Sequence, residues 1–409
     1  MATAAKIKSD EKLAIHGGTP VRSTKMPARF AFGPDEEAML MECIRFYRER
    51  GEDPGYQSFY EDKYCDEFAR YQGGGYADGV SCGTAGVFVG LRALDLPPGS
   101  EVIISPVTDS GPLGAIILQG FVPVVADAAV NSFNMGVEQF LARITPRTSA
   151  LVAIHAGGEP LEIDRIVEEA HKRGIKVLED CSQATGGSWK GKKVGTFGDI
   201  AAFSTMYRKN LAAGGSSGIL YTTDHDLYQK AQGHADRGKP VWKRHELDLR
   251  NPGYAAFPAL NFNTDEFRCA VGLASLRRLD ECNEKRKAFL RRLLPRMKEE
   301  CSSLTPFNFH EGFSPFYFPI LVDESQLTCT KLDFARAVAA EGIGLGDHYG
   351  CLVSTWPWAQ EYLSDDFVTV NAISARDRSF NLYVNECYGE QEVEDCIAAF
   401  SKVERHYSR

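Results

Sequence analysis

V-L-E-D-C-S-Q-A-T-G-G at Val177–Gly187, followed by F-G-D-I-A-A-F-S-T-M-Y-R-K-N-L-A-A-G-G-S-S-G-I-L-Y-T-T from Phe197 to Thr223, decides the fold. Two apolar runs each end in a polar residue, Asp180 and Ser204, and Lys209 follows Ser204 by five residues in a polar, glycine-rich loop. Working outward, short apolar runs recur at E-V-I-I-S, F-V-P-V-V-A-D, A-L-V-A-I-H and G-I-L-Y-T, separated by amphipathic segments. Continuous apolar runs between helices read as strands buried on both faces, the mark of an α/β fold with a mostly parallel central sheet. Ligands of such sheets gather at the carboxyl ends of the strands, where Asp180 and Ser204 stand.

A carboxylate, a hydroxyl and an amine brought together in this way are what pyridoxal phosphate (PLP) needs. A lysine forms the Schiff base, an acid keeps the pyridine nitrogen protonated, and hydroxyl or backbone donors take the phosphate. The competing reading makes Asp180 a turn cap and Lys209 a solvated side chain, the ordinary fate of lysines. The spacing of the three groups weighs against it.

At these residues the chain resembles the DegT/DnrJ/EryC1/StrS family, PLP enzymes of the aspartate-aminotransferase-like fold (fold type I) that mostly aminate keto-sugars and cyclitols. E-D-C-S-Q-A is similar to the family's E-D-x-A-Q-A, and F-S-x-x-x-x-K-N is kept at Phe203–Asn210. The resemblance runs from G-G-T-P-V-R near Gly17 to the helical segment after Asn261. It implies Lys209 as the Schiff-base lysine, Asp180 as the pyridinium partner, Gln183 as a contact to the cofactor's phenolic oxygen, and Ser204 as a phosphate ligand. S-C-G-T-A-G at Ser81–Gly86 is similar to S-x-G-T-A-A, and adds Gly83, Thr84 and Ala85 at a helix start. Backbone N–H groups and the dipole at a helix N-terminus bind phosphate in their own right, although Gly and Thr also begin ordinary helices. Asn261 matches an asparagine that in the family reaches the phosphate of the neighbouring subunit, which implies a homodimer with shared sites; a turn or N-cap role competes. G-D-H-Y-G resembles the family's H-Y segment and makes His348 and Tyr349 substrate-side candidates. H-A-G-G-E-P at His155–Pro160 resembles the family's H-x-x-G-x-P turn, with glycines expected to let the backbone pass close to the cofactor and His155 expected either to help build the pocket or to be buried and satisfied by backbone.

The chain departs from the family pattern in three places. Asp109 follows Thr108 where the family usually has an aromatic ring that stacks on the cofactor. Either its charge lies near the cofactor or substrate, or it turns away and another side chain covers the ring. Arg208 replaces a small residue before Lys209, and can repel the lysine's charge, bind an anionic substrate or point to solvent. Asn263 and Arg268 replace an Arg and a Gln. The basic run R-G-K-P-V-W-K-R-H, Arg237–His245, is either a solvated face or a contact for a nucleotide-sugar diphosphate.

The 409 residues, 44% hydrophobic and 25% charged, suit a globular protein of two domains, and the net charge of -9 argues against a nucleic-acid surface. The expected division is an N-terminal arm over 1–30, a large PLP-binding domain over 31–285 and a small α+β domain over 286–409. From Asp265 the pattern predicts one long helix, and F-Y-F-P-I-L-V predicts a strand in the small domain. No apolar leader or membrane-length run is present, and the 11 cysteines are odd in number with no C-x-x-C pair, so a cytoplasmic protein without disulfide or metal framework is expected. The expected activity is a PLP-dependent aminotransferase taking an amino group from an amino acid, glutamate or glutamine, to a keto-sugar or cyclitol ketone. A PLP dehydratase of the same family and a non-catalytic PLP-binding regulator are the alternatives; Lys209 favours transamination because dehydratases of this kind often carry histidine there.

Overall fold

The computed structural model describes residues 12–29, 31–241, 248 and 250–409. Thirteen strands are present among them: β1 Tyr76–Val80, β2 Glu101–Ile104, β3 Val122–Val125, β4 Thr148–Ile154, β5 Lys176–Asp180, β6 Ser188–Trp189, β7 Lys192–Lys193, β8 Ile200–Ser204, β9 Gly218–Thr222, β10 Leu304–Pro306, β11 Tyr317–Val322, β12 Leu345–Gly346 and β13 Ser379–Tyr383. Seven of these make the central sheet in the order β1-β9-β8-β5-β4-β2-β3. The pairs from β8 through β3 are all parallel, and only β9 runs against its neighbours. The expected mostly parallel sheet is therefore present, and β1 is an added edge strand that the apolar runs did not announce. Its sequence, Y-A-D-G-V, carries an acid and a glycine in mid-strand.

The order of strands explains where the site forms. Asp180 pairs with Ala202 of β8, and Ser204 pairs with Gly218, which also faces Val80 at the end of β1. The last residues of β1, β5 and β8 are thus neighbours on one edge of the sheet. Along β5 the side chains alternate between the two faces. Leu178 packs with Ile154, Ala202 and the helix Gly83–Ala93, whereas Val177 packs with the opposite layer around Ile163 and Ile166. Asp180 shares the Leu178 face, and Glu179 shares the other.

The segment expected as one helix from Asp265 is two, Glu266–Arg277 and Leu279–Glu300, with Arg278 taking φ -106 and ψ 3 between them. The second helix carries Phe289, Leu290, Leu293 and Met297 into the core of the second sheet, of order β10-β11-β13-β12. The N-terminal segment packs on this smaller unit: Leu13 is fully buried in its core, and Glu341 accepts hydrogen bonds from Ala14 N, Val21 N and Lys402 Nζ.

In H-A-G-G-E-P, Gly157 N donates to Gln183 Oε1 at 2.7 Å, and Gly157 and Gly158 together meet a second segment of chain. They accept the chain entering β11: Ser314 N donates to Gly158 O at 3.0 Å and Phe316 N to Gly157 O at 3.1 Å. At Gly158 φ is +92, and a Cβ there would lie 2.0 Å from Ser314 O. Gly158→Ala is expected to cost about 3 kcal/mol through combined backbone strain and overpacking, measured as a fall in urea midpoint with unchanged slope.

Candidate active site

Glu179 organises the strand ends. Fully buried, it accepts hydrogen bonds from Gly195 N at 2.8 Å, Phe197 N at 2.8 Å and Gly198 N at 2.7 Å, and contacts His155 Nε2 at 3.1 Å. Leu161 N donates to His155 Nδ1 at 3.0 Å, so the imidazole proton is on Nε2 and points to Glu179. Burial acts to raise the Glu179 carboxyl, but His155 and the backbone donors outweigh it and hold it below the usual range. His155, Glu179 and Cys181 lie close enough to suggest a metal site, with ligand atoms within 4.8 Å of one another. Those N–H donors already occupy both carboxylate oxygens and the free imidazole nitrogen, and burial pushes the Cys181 thiol far up, so these groups are structural.

Next to this knot, on the other face, lies a cavity of about 370 Å³. Asp180, Ser204, Lys209, Gly83, Thr84 and Gln183 all line it. Asp180 is buried and accepts from Ser182 N at 2.9 Å. Burial lifts its carboxyl above the ordinary value, while the Ser182 donors and the Lys209 charge pull it back. Burial lowers the Lys209 amine, and Asp180 and then Asp109 oppose that shift. Lys209 Nζ is 4.5 Å from the centre of the Phe316 ring.

The helix Gly83–Ala93 points its N-terminus at the cavity, and Gly83 permits this approach. A Cβ at Gly83 would lie 2.6 Å from Ser204 Cβ. Ser204 N in turn donates to Ser182 Oγ at 3.1 Å. Ala85 is not part of the wall, because its N–H donates to Cys82 Sγ at 3.3 Å and caps the helix. Asp109 and Arg208 line the cavity and are exposed. The Asp109 carboxylate accepts from Gly111 N at 3.1 Å as the N-cap of Ser110–Ile117, so it faces Lys209 electrostatically while capping a helix.

Tyr349 lines the cavity, with its hydroxyl beside Gln183, Tyr317 and Cys351, whereas His348 is exposed and outside the wall, with Lys331 and Arg376 as its nearest cations. Asn261 is also outside: its Oδ1 accepts from Asn263 N and Nδ2 on the surface. The stretch expected as a diphosphate contact has Lys243 and Arg244 outside the described residues. Sequence reading missed Ser182, Phe316 and Cys351. Ser182 was within the quoted motif, but Phe316 and Cys351 come from chain segments that only the packing of the second sheet brings here.

The sequence profile of the DegT/DnrJ/EryC1/StrS aminotransferase family matches residues 57–401. The chain belongs to this family. It is 32% identical over 346 residues to the spore coat polysaccharide biosynthesis protein SpsC of Bacillus subtilis, covering 81% of this chain and 86% of that protein. It is 35% identical over 215 residues, 52% of this chain and 56% of the relative, to a UDP-N-acetyl-3-dehydro-alpha-D-glucosamine 3-aminotransferase of Acidithiobacillus ferrooxidans. The crystal structure of NtdA from B. subtilis with bound cofactor PMP superposes with a TM-score of 0.80 at 21% identity, over 98% of this chain and 90% of that one. The protein is an aminotransferase of fold type I, and its cofactor is PLP. The cavity's donor set suits that cofactor: an amine, a buried carboxylate, and hydroxyls beside a helix N-terminus that glycine keeps open.

Glu179→Gln should lower stability by about 3 kcal/mol at pH 7, because a buried anion with matched donors is replaced by an amide that must turn an N–H toward donors. The folded-state pKa lies below 4.5, so this contribution is complete above about pH 4.5 and is lost as pH falls through the folded value. Denaturant titrations of both proteins between pH 3 and 8 should show the gap closing only on the acid side.

Proposed function

We propose that Lys209 is the lysine that binds PLP, with Asp180 at the ring nitrogen, Gln183 beside the phenolic oxygen, and Ser204, Gly83 and Thr84 at the phosphate. The observation carrying this reading is the convergence of Asp180 and Lys209 on one cavity beside the N-terminus of Gly83–Ala93. When bound, PLP supplies an aldehyde carbon and a ring that stores the electron pair left when the donor loses its α-proton. A carboxylate at Asp180 keeps the ring nitrogen protonated, and its Ser182 hydrogen bond fixes it in place. Lys209 Nζ would hold the cofactor's aldehyde carbon and, when free, would serve as the base that moves a proton from the donor's α carbon. Its lowered pKa leaves more of the amine neutral, as a base must be.

The overall reaction in this reading moves an amino group from an amino acid, glutamate or glutamine, to a keto-sugar. The relative that acts on a UDP-linked dehydro-glucosamine supports the acceptor class. Arg208 is exposed on the cavity wall and its side chain makes no ion pair among the described residues, which suits an anionic group of either substrate. Tyr349 is the substrate-side hydroxyl. A homodimer fits the position of Asn261, which is exposed and outside its own chain's cavity, next to Leu260 at 59% exposure and the exposed Phe267. The large domain over 31–285 and small domain over 286–409, with a cytoplasmic location, complete the proposal; no helix among the described residues is long and apolar enough to cross a membrane.

Borohydride reduction of the yellow protein, followed by peptide mapping, should place a pyridoxyl group on Lys209 and on no residue of Lys209→Ala. Asp180→Asn should lower kcat about 10³-fold while the same adduct still forms; a variant with wild-type kcat would remove Asp180 from the reaction. Asp109→Phe tests the family departure: a fall in the pH at which the cofactor absorbance changes, or a changed acceptor range, is expected from loss of the second negative charge, and an unchanged protein would confine Asp109 to its capping role.

A further inference from the structure

The lysine loop, Thr205–Ser217, contains little regular structure, and its peptide groups need partners from elsewhere. The two carbonyls flanking Lys209 share one. Arg29 Nη1 donates to Arg208 O at 2.8 Å and Arg29 Nη2 donates to Asn210 O at 3.1 Å. A guanidinium is planar with its donors in a fixed fork, so accepting from both prongs fixes the two peptide units relative to each other. Lys209 is the residue between them.

The fork is itself anchored. Arg29 Nε lies 3.3 Å from Glu386, which also receives Arg286 Nε at 3.0 Å and Nη2 at 2.7 Å. Arg286 is buried, donates to Asn210 Oδ1 and donates to Pro315 O at 2.9 Å. Asn210 Nδ2 donates to Ser314 Oγ at 2.7 Å and Asn283 Oδ1 at 3.0 Å. The next residue after Pro315 is Phe316, whose ring faces Lys209 Nζ. One network of two arginines, one glutamate and two asparagines therefore sets both the backbone of Lys209 and the ring against its amine. The network joins residue 29 of the N-terminal segment, the helix Leu279–Glu300 and the turn after β13.

We propose that Arg29 is a positioning residue for the freed lysine: by holding both neighbouring carbonyls, it keeps the root of the side chain fixed during the part of the cycle when the amine is no longer tied to the cofactor. While the covalent link exists, it positions the amine and the fork is redundant. When the link is broken, the amine is held only through its own backbone, and a loosened root spreads Nζ over positions that miss the α carbon. The contribution thus belongs to turnover and not to donor binding. This inference rests on the assignment of Lys209.

The test uses full-length holoenzyme with Arg29→Ala and Arg29→Lys, the latter keeping charge and bulk without the planar fork and covering the case in which the alanine protein does not fold. Borohydride trapping is run on all three proteins, and donor half-reaction rates are read from cofactor absorbance. The expected result is a normal pyridoxyl adduct at Lys209 in every protein, a rate 10- to 100-fold lower in both variants with donor KM within about twofold, and partial recovery of Arg29→Ala by added guanidinium but not by ammonium. A wild-type rate in either variant overturns the proposal, and so does a loss that appears only in KM or that guanidinium leaves untouched. Absence of an adduct at Lys209 in the wild-type protein would instead overturn the assignment of the lysine.

Discussion

A buried carboxylate with all its hydrogen-bond capacity in use underlies the rest of the structure. Glu179 draws in the turn before β8 through three backbone N–H groups and the turn after β4 through His155. Because Asp180 is the next residue on the same strand, fixing Glu179 on one face fixes Asp180 on the other. A wrong register by one residue would exchange the two acids, placing the catalytic candidate in the structural knot and the structural one in the cavity.

The cavity opposes two effects on each of its ionisable groups. Burial works against charge on both Asp180 and Lys209, and each group's charge works in favour of the other's. The outcome is a buried acid and an amine less basic than an exposed lysine on one cavity, both obtained from the same exclusion of water. Asp109 adds a second negative charge to this balance, and the same carboxylate accepts from Gly111 N as the N-cap of Ser110–Ile117.

The second sheet does more than flank the first. It delivers Phe316, Tyr349 and Cys351 to the cavity and, through Glu386 and Arg286, grips the loop that holds Lys209. The glycines at 157 and 158 are the hinge of this contact, where the main sheet accepts the chain entering β11 with no space for a side chain. Charged residues buried here are expensive unless paired, and Glu386 lies between two arginines that hold it below its usual range.

From its residues alone the chain determined the parallel sheet, the strand-end positions of Asp180 and Ser204, and the loop lysine, because apolar runs and their polar ends are local properties of sequence. The mid-strand acid and glycine hid β1, and the break at Arg278 left no local mark because the residues on both sides favour helix. Glu179 and Asp180 are adjacent acids; the motif resemblance singled out Asp180, and strand pairing, which sends alternate side chains to opposite layers, supplied the physical separation. The Arg29 fork, Phe316 and the withdrawal of His348 and Ala85 from the cavity wall were likewise decided by tertiary structure, since each depends on contacts between segments far apart in the chain or on which partner already holds the polar group.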